Sequence, residues 1–311
     1  MADLRARSIE VIRAGQAESG GYVACPNFAP YRYCWLRDGS FIADAMSRHG
    51  EIESAEAFFH WCARVIEARG GENLHARYEL DGSDTHDEWP KFQLDGYGLW
   101  LWASAEHADR HGRDLERCAR AADLTREFLA RRWRDPCVDW WEEREGIHPA
   151  TLGSLWLGAK EVDLALADEI GEAIAQVSQL RVDASLLVLL PPFGSCEPEP
   201  LLDLVEDSLV SSGGGVHRHL DDEYYGGGEW VLLTGMLGCV YAALGRVDDA
   251  RKKREWIEAH ATADGELPEQ VDDDLLHPER RREWLDKWGQ SPLPLLWSHA
   301  MYLTLLDVSQ L

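Results

Sequence analysis

Residues 229–263 read EWVLLTGMLGCVYAALGRVDDARKKREWIEAHATA and contain two consecutive helical segments of different character. The first, 229–245, is mostly apolar and rich in small residues, whereas the second, 246–263, mixes charged and apolar residues at helical spacing. Gly245 separates them, as expected of a residue that ends a helix. An apolar helix followed directly by an amphipathic one predicts a hairpin with one inner and one outer helix.

Segments with helical periodicity recur along the chain, and most of them come in pairs of this kind. The predicted pairs are 38–50 with 51–70, 95–113 with 114–134, 149–166 with 167–180, and 229–245 with 246–263. The remaining helical segments are predicted at 4–17, 183–191, 198–210 and 294–310. Gly50, Gly70 and Gly112, like Gly245, stand where helices are expected to stop.

These twelve helices in six hairpins predict an all-α (α/α)6 barrel, in which a ring of inner helices lies inside a ring of outer helices. Segments 184–190 and 232–244 are apolar enough for the inner ring, and 248–260 is predicted to be outer. The long loops, which hold most Trp, Gly, Pro and charged clusters, would gather where the inner helices begin, so the functional site is expected there. No Gly-, Ser- or Pro-rich linker interrupts the chain, and 1–311 is predicted to be a single domain.

The composition excludes several classes of protein. The net charge of −25, from 56 acidic and 31 basic residues, disfavours nucleic-acid binding, which depends on Lys and Arg. No stretch approaches the ~18 consecutive apolar residues of a membrane helix, and the N-terminus shows no export signal. The seven cysteines are widely spaced without a CxxC pair, which indicates reduced thiols and a cytoplasmic location.

Tryptophan is abundant, with 14 residues, and several of them stand beside charged residues. Trp35 precedes Arg37 and Asp38, Trp89 follows a glutamate, and Trp141 precedes Glu142. A Trp ring can cover the apolar face of a sugar while charged groups bind the hydroxyls, so this grouping favours a sugar site. The alternative is that the long side chains pack beneath loops.

Two loop segments directly before helices carry candidate binding residues: 31–38, YRYCWLRD, and 89–96, WPKFQLDG. Arg37 can donate and Asp38 can accept hydrogen bonds from neighbouring sugar hydroxyls. By spacing alone, however, Asp38 and Asp95 are better explained as helix caps. Gly96 would allow a close backbone approach.

Candidate catalytic carboxylates lie in two other loops. The segment 139–143, DWWEE, places Glu142 and Glu143 beside Trp rings, and aromatic walls raise the pKa of a carboxyl towards that of a general acid at neutral pH. Glu269 lies within DGELPEQ, in a loop that is expected to be exposed. It is a candidate general base, and the alternative is an ordinary surface residue. In the segment 218–230, Arg218 is a candidate ligand of a hydroxyl or carboxylate.

No metal or nucleotide site is predicted. The three glycines 226–228 lack the strand and spacing of a dinucleotide-binding loop. The run 272–274, DDD, has no matching second acidic motif and is read as solvated charge, and the histidines lack metal-ligand spacing.

Taken in order, these motifs resemble glycoside hydrolase family 15, the glucoamylase-like enzymes. YRYCWLRD resembles the family's Tyr-x-Tyr-x-Trp-x-Arg-Asp segment, and DWWEE resembles Asp-Leu-Trp-Glu-Glu. WPKFQLDG resembles Trp-x-Arg-Pro-Gln-x-Asp-Gly, with Pro directly after the Trp and no Arg. RVDASLLVLLPPF, the 218–230 stretch, and GELPEQ followed by LPLLWSHAMYL look like further family segments. The layout, without an N-terminal β-sandwich or starch-binding module, resembles the isomaltose glucohydrolases.

The resemblance implies Glu142 as general acid and Glu269 as general base of an inverting hydrolysis. The two carboxyls should then lie about 6.5–9.5 Å apart, which leaves room for the attacking water. Arg37 and Asp38 would bind the 4- and 6-hydroxyls of the terminal glucose, which makes the enzyme exo-acting. The remaining pocket residues that the resemblance implies are Tyr31, Trp35, Trp89, Trp141, Glu143 and Arg218.

The expected activity is hydrolysis of non-reducing-end α-1,6 bonds, and next of α-1,4 bonds, in short oligosaccharides, with release of β-glucose. No metal or cofactor is expected, because two carboxyls suffice. A small oligosaccharide is the expected partner, with no nucleic acid or membrane, and the oligomeric state stays open. The alternatives are a trehalase on the same scaffold, a phosphorylase in which phosphate replaces the base, and a non-catalytic sugar-binding member of the family.

Overall fold

The structure is a computed structural model that describes residues 3–176 and 182–310. Within these ranges the chain is mostly helical. The α-helices are α1 Leu4–Ala14, α2 Leu36–Arg48, α3 Ile52–Ala68, α4 Asp95–His111, α5 Ala119–Arg132, α6 Pro149–Val162, α7 Leu164–Ile174, α8 Leu201–Leu209, α9 Val231–Ala243, α10 Val247–Ala259, α11 Pro278–Trp288 and α12 Leu296–Ser309.

The predicted helix stops are confirmed at four glycines. Gly50, Gly70, Gly112 and Gly245 directly follow or lie within two residues of a helix end, and each has a positive φ between 58° and 77°. This left-handed conformation costs little for glycine because it has no Cβ, which explains why these residues punctuate the helical pattern.

One compact unit is built from residues within 13–24 and 30–179. In it α2, α4 and α6 pack side by side, α3 lies against α2, α5 lies against α3 and α6, and α7 lies against α6. Nearly every residue of α2 is buried, whereas α5 buries only four of its residues. The unit therefore has inner helices covered by outer ones, as the alternation of apolar and amphipathic segments predicts.

Two glycines allow α4 and α6 to approach closely. A Cβ on Gly98 would lie 2.3 Å from the carbonyl oxygen of Ser154, and a Cβ on Gly158 would lie 2.3 Å from the carbonyl oxygen of Gly98. No side chain fits between these backbones, so the two inner helices are in contact along their small residues.

The second compact unit is built from residues within 1–12, 25–29 and 180–311. Here α9 packs against α10 and α12, and its residues Val231–Tyr241 are all buried. In contrast, α10 buries only Ala250, Lys253, Trp256 and Ile257. The predicted inner character of 232–244 and outer character of 248–260 are thus confirmed by burial.

Strands in the described residues are limited to three antiparallel pairs of two residues each. β1 (Cys34–Trp35) pairs with β2 (Arg77–Tyr78), β3 (Cys137–Val138) pairs with β4 (Glu145–Gly146), and β5 (Glu229–Trp230) pairs with β6 (Gln270–Val271). These ribbons lie in the loops at the N-terminal ends of α2, α6 and α9, so they position the loop segments that carry the candidate site residues.

Two of the sequence predictions are wrong. The segment 183–191 contains a 3-10 helix, Ala184–Leu189, which is capped by Asp183 and ends before two prolines that offer no N–H donors. The loop predicted at 264–293 contains the helix α11, which begins at Pro278 and is followed by Gly289. α11 buries none of its residues, so it lacks the apolar stripe by which helices are predicted.

The helix predicted at 167–180 is confirmed over 167–174, but α7 begins earlier, at Leu164, and ends at Ile174; residues 177–180 lie outside the described residues. The prediction of a single domain over 1–311 stays a prediction. Among the described residues, no helix combines the length and apolar character that crossing a bilayer requires.

Candidate active site

The DWWEE segment forms the tight loop between β3 and β4. Asp139 organises the loop, since its Oδ1 accepts a hydrogen bond from the backbone N–H of Glu143 at 2.9 Å and its carbonyl oxygen accepts one from Glu142 at 3.0 Å. Glu142 has a left-handed φ of 62°, which is uncommon for a residue with a side chain. The two hydrogen bonds to Asp139 hold this uncommon backbone conformation in place.

The Glu142 carboxyl is buried between two indole groups. Trp35 Nε1 donates to Glu142 Oε1 at 2.6 Å, and Trp89 Nε1 donates to Oε2. The Glu142 side chain is only 5% exposed, and this burial raises its pKa above the ordinary value, against the opposing effect of Arg37 and of the two indole donors. The sequence predicts a raised pKa from the Trp rings of the DWWEE segment itself, whereas the two indoles that donate to this carboxyl come from the 31–38 and 89–96 segments.

Arg37 connects the starts of α2 and α4 beside this carboxyl. Its Nη1 donates to Gln93 Oε1 at 2.8 Å and to Asp95 Oδ2 at 3.1 Å, and its Nη2 lies 3.9 Å from Glu142 Oε1. Gln93 in turn donates to the carbonyl oxygen of Asp139 at 2.5 Å. The guanidinium is therefore fixed within a buried polar network that includes the loop of Glu142.

Asp38 is the third residue of α2 and makes no capping hydrogen bond, so the interpretation of Asp38 as an ordinary helix cap is wrong. Its carboxyl lies 3.5 Å from Arg37 Nε, and burial raises its pKa to about 7 despite the attraction of Arg37. The Oδ1 atom is buried without a hydrogen-bond partner. A buried, unsatisfied acceptor of this kind is suited to a hydroxyl donor.

Asp95 and Gly96 hold the start of α4 against the start of α2. Asp95 is not a conventional cap, because it is the first residue of α4 and accepts from Arg37 as well as from the N–H of Gly96 at 2.7 Å. A Cβ on Gly96 would lie 2.8 Å from the backbone nitrogen of Arg37. The predicted close backbone approach at Gly96 is confirmed.

The other predicted pocket residues of this unit lie around Trp35 or in the Glu142 loop. Tyr31 is half-buried, with its ring edge-on to Trp35 at 5.8 Å between centroids. Trp141 is half-buried, whereas Glu143 is exposed. Tyr33, Asp87 and Trp89 line an open cavity of about 380 Å³ together with Arg77.

Sequence reasoning missed Arg77, which is 3% exposed and stacks on the rings around Glu142. Gln93 was also missed as a ligand of Arg37, although it stands in the quoted motif. The available signal for Arg77 was a charged residue directly between Ala76 and Tyr78. A charge at such a position requires buried partners.

Glu269 lies in the second unit, directly before β6. Its backbone N–H donates to the carbonyl oxygen of Pro292 at 2.9 Å, and its carbonyl oxygen accepts from Val231 at 3.1 Å. The residue is 3% exposed, so the expectation of an exposed loop residue is wrong. One of these bonds attaches it to the start of α9 and the other to the segment before α12, and the pairing of β5 with β6 holds the chain that follows it.

Arg218 lies in the same unit and is held by a buried carboxylate that sequence reasoning did not assign. Asp222 Oδ1 accepts from Arg218 Nη2 at 2.7 Å, and Oδ2 accepts from Nε at 3.1 Å and from Trp230 Nε1 at 3.2 Å. The guanidinium also lies over the Trp230 ring, 5.1 Å from its centroid. Arg218 is therefore a rigid donor whose orientation is set by Asp222 and Trp230.

The acidic run 272–274 makes charge pairs rather than a ligand set. Asp272 forms an ion pair with Arg281 of α11, and Asp273 accepts from His260 at 3.1 Å. Both pairs are at least partly exposed, in agreement with the prediction of solvated charge.

The sequence also matches known proteins along its length. It matches the family described as Glycosyl hydrolases family 15 over residues 3–86 and 72–188. It is 38% identical to the isomaltose glucohydrolase of Kribbella flavida, and the alignment covers 98% of this chain and 92% of that relative. The chain belongs to glycoside hydrolase family 15. It is accordingly a glycoside hydrolase, and the resemblance drawn from its motifs is confirmed.

Solved structures extend the comparison to the family 15 fold. A wild-type glycosidase is 38% identical with a TM-score of 0.90, and the match covers 99% of this chain and 96% of that one. A glycosidase solved in complex with glucose gives 37% identity, a TM-score of 0.90 and the same coverage. A bacterial glucoamylase complexed with acarbose, at 20% identity and a TM-score of 0.75 over 98% of this chain and 55% of that chain, supports the fold alone. The predicted all-α (α/α)6 fold class is confirmed.

Proposed function

We propose that this family 15 enzyme is an inverting, exo-acting α-glucosidase that releases β-glucose from the non-reducing end of short α-glucosides. The α-1,6 bond of isomaltose and isomalto-oligosaccharides is the main proposed substrate, with α-1,4 bonds second. The proposed linkage is supported by the 38% identity to an isomaltose glucohydrolase over 98% of the chain. The proposed reaction rests on the environment of Glu142.

Glu142 is the proposed general acid, and its burial between Trp35 and Trp89 is the observation that carries the proposal. A general acid must hold its proton near neutral pH, and burial raises the pKa of this carboxyl. Each carboxyl oxygen has two lone pairs. One lone pair of an oxygen can accept the indole hydrogen bond while the second lone pair of the same oxygen binds the proton. That proton would pass to the glycosidic oxygen as the bond to the departing sugar breaks.

Glu269 is the proposed general base. In an inverting hydrolysis this carboxylate takes a proton from water while the water attacks the anomeric carbon on the face opposite the leaving group. Burial and two backbone hydrogen bonds give Glu269 the fixed position that such a base needs. The reaction breaks one glycosidic bond and consumes one water molecule, and its products are the departing sugar and β-glucose.

Arg37 and Asp38 are the proposed ligands of the 4- and 6-hydroxyls of the terminal glucose. The unsatisfied Oδ1 of Asp38 supports this role, because a sugar hydroxyl would supply the missing donor. Binding at these hydroxyls requires a free non-reducing end, which makes the enzyme exo-acting. The other proposed pocket residues are Tyr31, Trp35, Trp89, Trp141, Glu143 and Arg218. No cofactor takes part in the proposed reaction, and the proposed location is the cytoplasm.

The test is glucose release from isomaltose, maltose, trehalose and kojibiose by the purified enzyme, with proton NMR of the first product formed. We expect the highest kcat/KM on isomaltose and the β-anomer as the initial product. Activity on trehalose alone would identify a trehalase, and strict dependence on phosphate would identify a phosphorylase. Binding of these sugars without turnover would identify a sugar-binding protein, and initial α-glucose would contradict inversion.

A further inference from the structure

Arg77 occupies an unusual position for a charged residue. It lies in β2 directly opposite Trp35 of β1, and only 3% of its surface is exposed. Its Nη2 lies 2.7 Å from Asp87 Oδ2, and its Nη1 donates to the carbonyl oxygen of Pro30 at 3.3 Å. These two bonds fix the plane of the guanidinium within the ribbon.

Three aromatic rings surround this guanidinium. Its central carbon lies 4.4 Å from the ring centroid of Tyr33, 4.7 Å from that of Trp35 and 4.6 Å from that of Trp89. A cation over an aromatic ring is attracted when it lies within about 6 Å of the centroid, and a planar guanidinium can also stack on the ring. One side chain therefore holds three rings, two from the 31–38 segment and one from the 89–96 segment.

Two of these rings are the hydrogen-bond donors of Glu142. Trp35 Nε1 donates to Oε1 at 2.6 Å and Trp89 Nε1 donates to Oε2, so both carboxyl oxygens are oriented by indoles that stack on the same arginine. None of the bonds described above joins the Arg77 guanidinium to the Glu142 carboxyl directly. The two indoles lie between them. A shift of the guanidinium would move both donors together.

We propose that Arg77 is a positioning residue for the general acid: by stacking on Trp35 and Trp89 it sets the orientation of the Glu142 carboxyl and the pH range in which that carboxyl works. This inference rests on the proposed role of Glu142. It goes beyond that role because it assigns the orientation of the acid to an arginine outside the motifs of the binding site.

The charges near Glu142 determine the direction of the pH effect. Burial raises the pKa of Glu142, and the positive charges of Arg37 and Arg77 oppose that rise, as do the two indole donors. Asp38 lies beside Arg37 and adds a negative charge when it is ionised, and Asp87 partly neutralises Arg77. Removal of Arg77 therefore raises the pKa of Glu142 further, both by loss of its charge and by loosening of the indole donors.

The test compares Arg77→Gln with Arg77→Lys. In Arg77→Gln we expect kcat on isomaltose to fall about 10–100-fold, more than KM changes, with the basic limb of the kcat–pH profile moved to higher pH. In Arg77→Lys the charge remains while the planar stack is lost. The basic limb should therefore stay near its wild-type position while kcat stays low.

Arg69→Gln is the matched control. Arg69 lies over the ring of Tyr78, 4.4 Å from its centroid, and pairs with Asp84 at 2.5 Å, so it makes the same kinds of contact away from Glu142. We expect Arg69→Gln to leave the kcat–pH profile unchanged. An equal loss of kcat in Arg69→Gln, or a wild-type kcat and pH profile in Arg77→Gln, would overturn the proposal.

A second readout does not depend on turnover. Protonation of Glu142 should alter the tryptophan emission because two indoles donate to it, and the change should be absent in Glu142→Gln. In Arg77→Gln the midpoint of this titration should move to higher pH.

If the wild type hydrolyses none of the sugars, the proposed function fails while this midpoint still decides the role of Arg77. Should Arg77→Gln not fold, Asp87→Asn should move the midpoint and the pH limb less far and to lower pH, because it removes the negative charge that partly neutralises Arg77. An unmoved midpoint there would also overturn the proposal.

Discussion

Arg37 and Asp95 form a buried ion pair that joins the first turns of α2 and α4, with Nη1 and Oδ2 3.1 Å apart. The Asp95 side chain is 1% exposed and that of Arg37 is 8% exposed. Loss of one partner would leave the other charge buried without compensation, so the pair is costly to break.

We expect Asp95→Ala to lower the free energy of unfolding by about 3–5 kcal/mol, measured by urea denaturation. The control is Asp248→Ala, which breaks the exposed pair of Asp248 with Arg251 and should cost less than about 1 kcal/mol. Equal effects of the two substitutions would contradict a stabilising role of the buried pair.

The raised pKa of Asp38 makes stability depend on pH. Its carboxyl has a pKa of about 7 in the folded protein against an ordinary value of 3.8, so between these values the folded state binds a proton that the unfolded chain has lost. The contribution of Asp38 to stability therefore falls as pH rises from about 4 to 7.

Asp38→Asn should remove this dependence. We expect the variant to gain more than about 1 kcal/mol relative to wild type at pH 8, the free energy of one pKa unit, and little at pH 4. Thermal melts at both pH values measure the gain, and Asp123→Asn, at an exposed position of α5, serves as control. A gain that is the same at pH 4 and pH 8 would refute the assignment.

Trp35→Phe keeps most of the ring and removes the N–H that donates to Glu142. Because that hydrogen bond favours the ionised carboxylate, the pKa of Glu142 should rise and the basic limb of the kcat–pH profile should move upward, with kcat reduced about tenfold. Trp61→Phe removes an indole that donates to the carbonyl oxygen of Leu80 at 2.9 Å, and it should leave the profile in place. A profile that moves equally in both variants would argue against a specific effect.

Glu142→Gln and Glu269→Gln should each lower kcat by about two orders of magnitude or more while the circular dichroism and the melting temperature stay near wild type. Both substitutions keep the shape of the side chain and remove its acid–base chemistry. Near wild-type turnover in either variant would reject that residue's role.

The contact of α4 with α6 predicts a large effect of a single methyl group. Gly98→Ala should lower the free energy of unfolding by about 3 kcal/mol or more, because its Cβ would meet the backbone of Ser154 at 2.3 Å. Gly171→Ala on α7 would meet only the Trp156 ring at 3.5 Å, and its better helix propensity should stabilise by up to about 1 kcal/mol. Denaturation midpoints of the two variants should therefore move in opposite directions.

Local sequence patterns were sufficient for most of the helices. The 3.6-residue periodicity and the glycines at 50, 70, 112 and 245 depend only on neighbouring residues, and the structure confirms them. The same reasoning failed at α11, which has no buried stripe, and at 184–189, where a 3-10 helix ends before two prolines. Both failures concern segments whose conformation depends on surroundings more than on periodicity.

The sequence by itself determined an all-helical chain of inner and outer pairs and the loop motifs that carry Glu142, Trp35 and Arg37. Only the tertiary structure decided that Trp35 and Glu142, 107 residues apart, share a hydrogen bond and that Arg77 stacks beside them. The physical reason is range: helix periodicity is a property of adjacent turns. The pKa of a buried carboxyl, in contrast, depends on charges and donors that the folded chain brings together from distant segments.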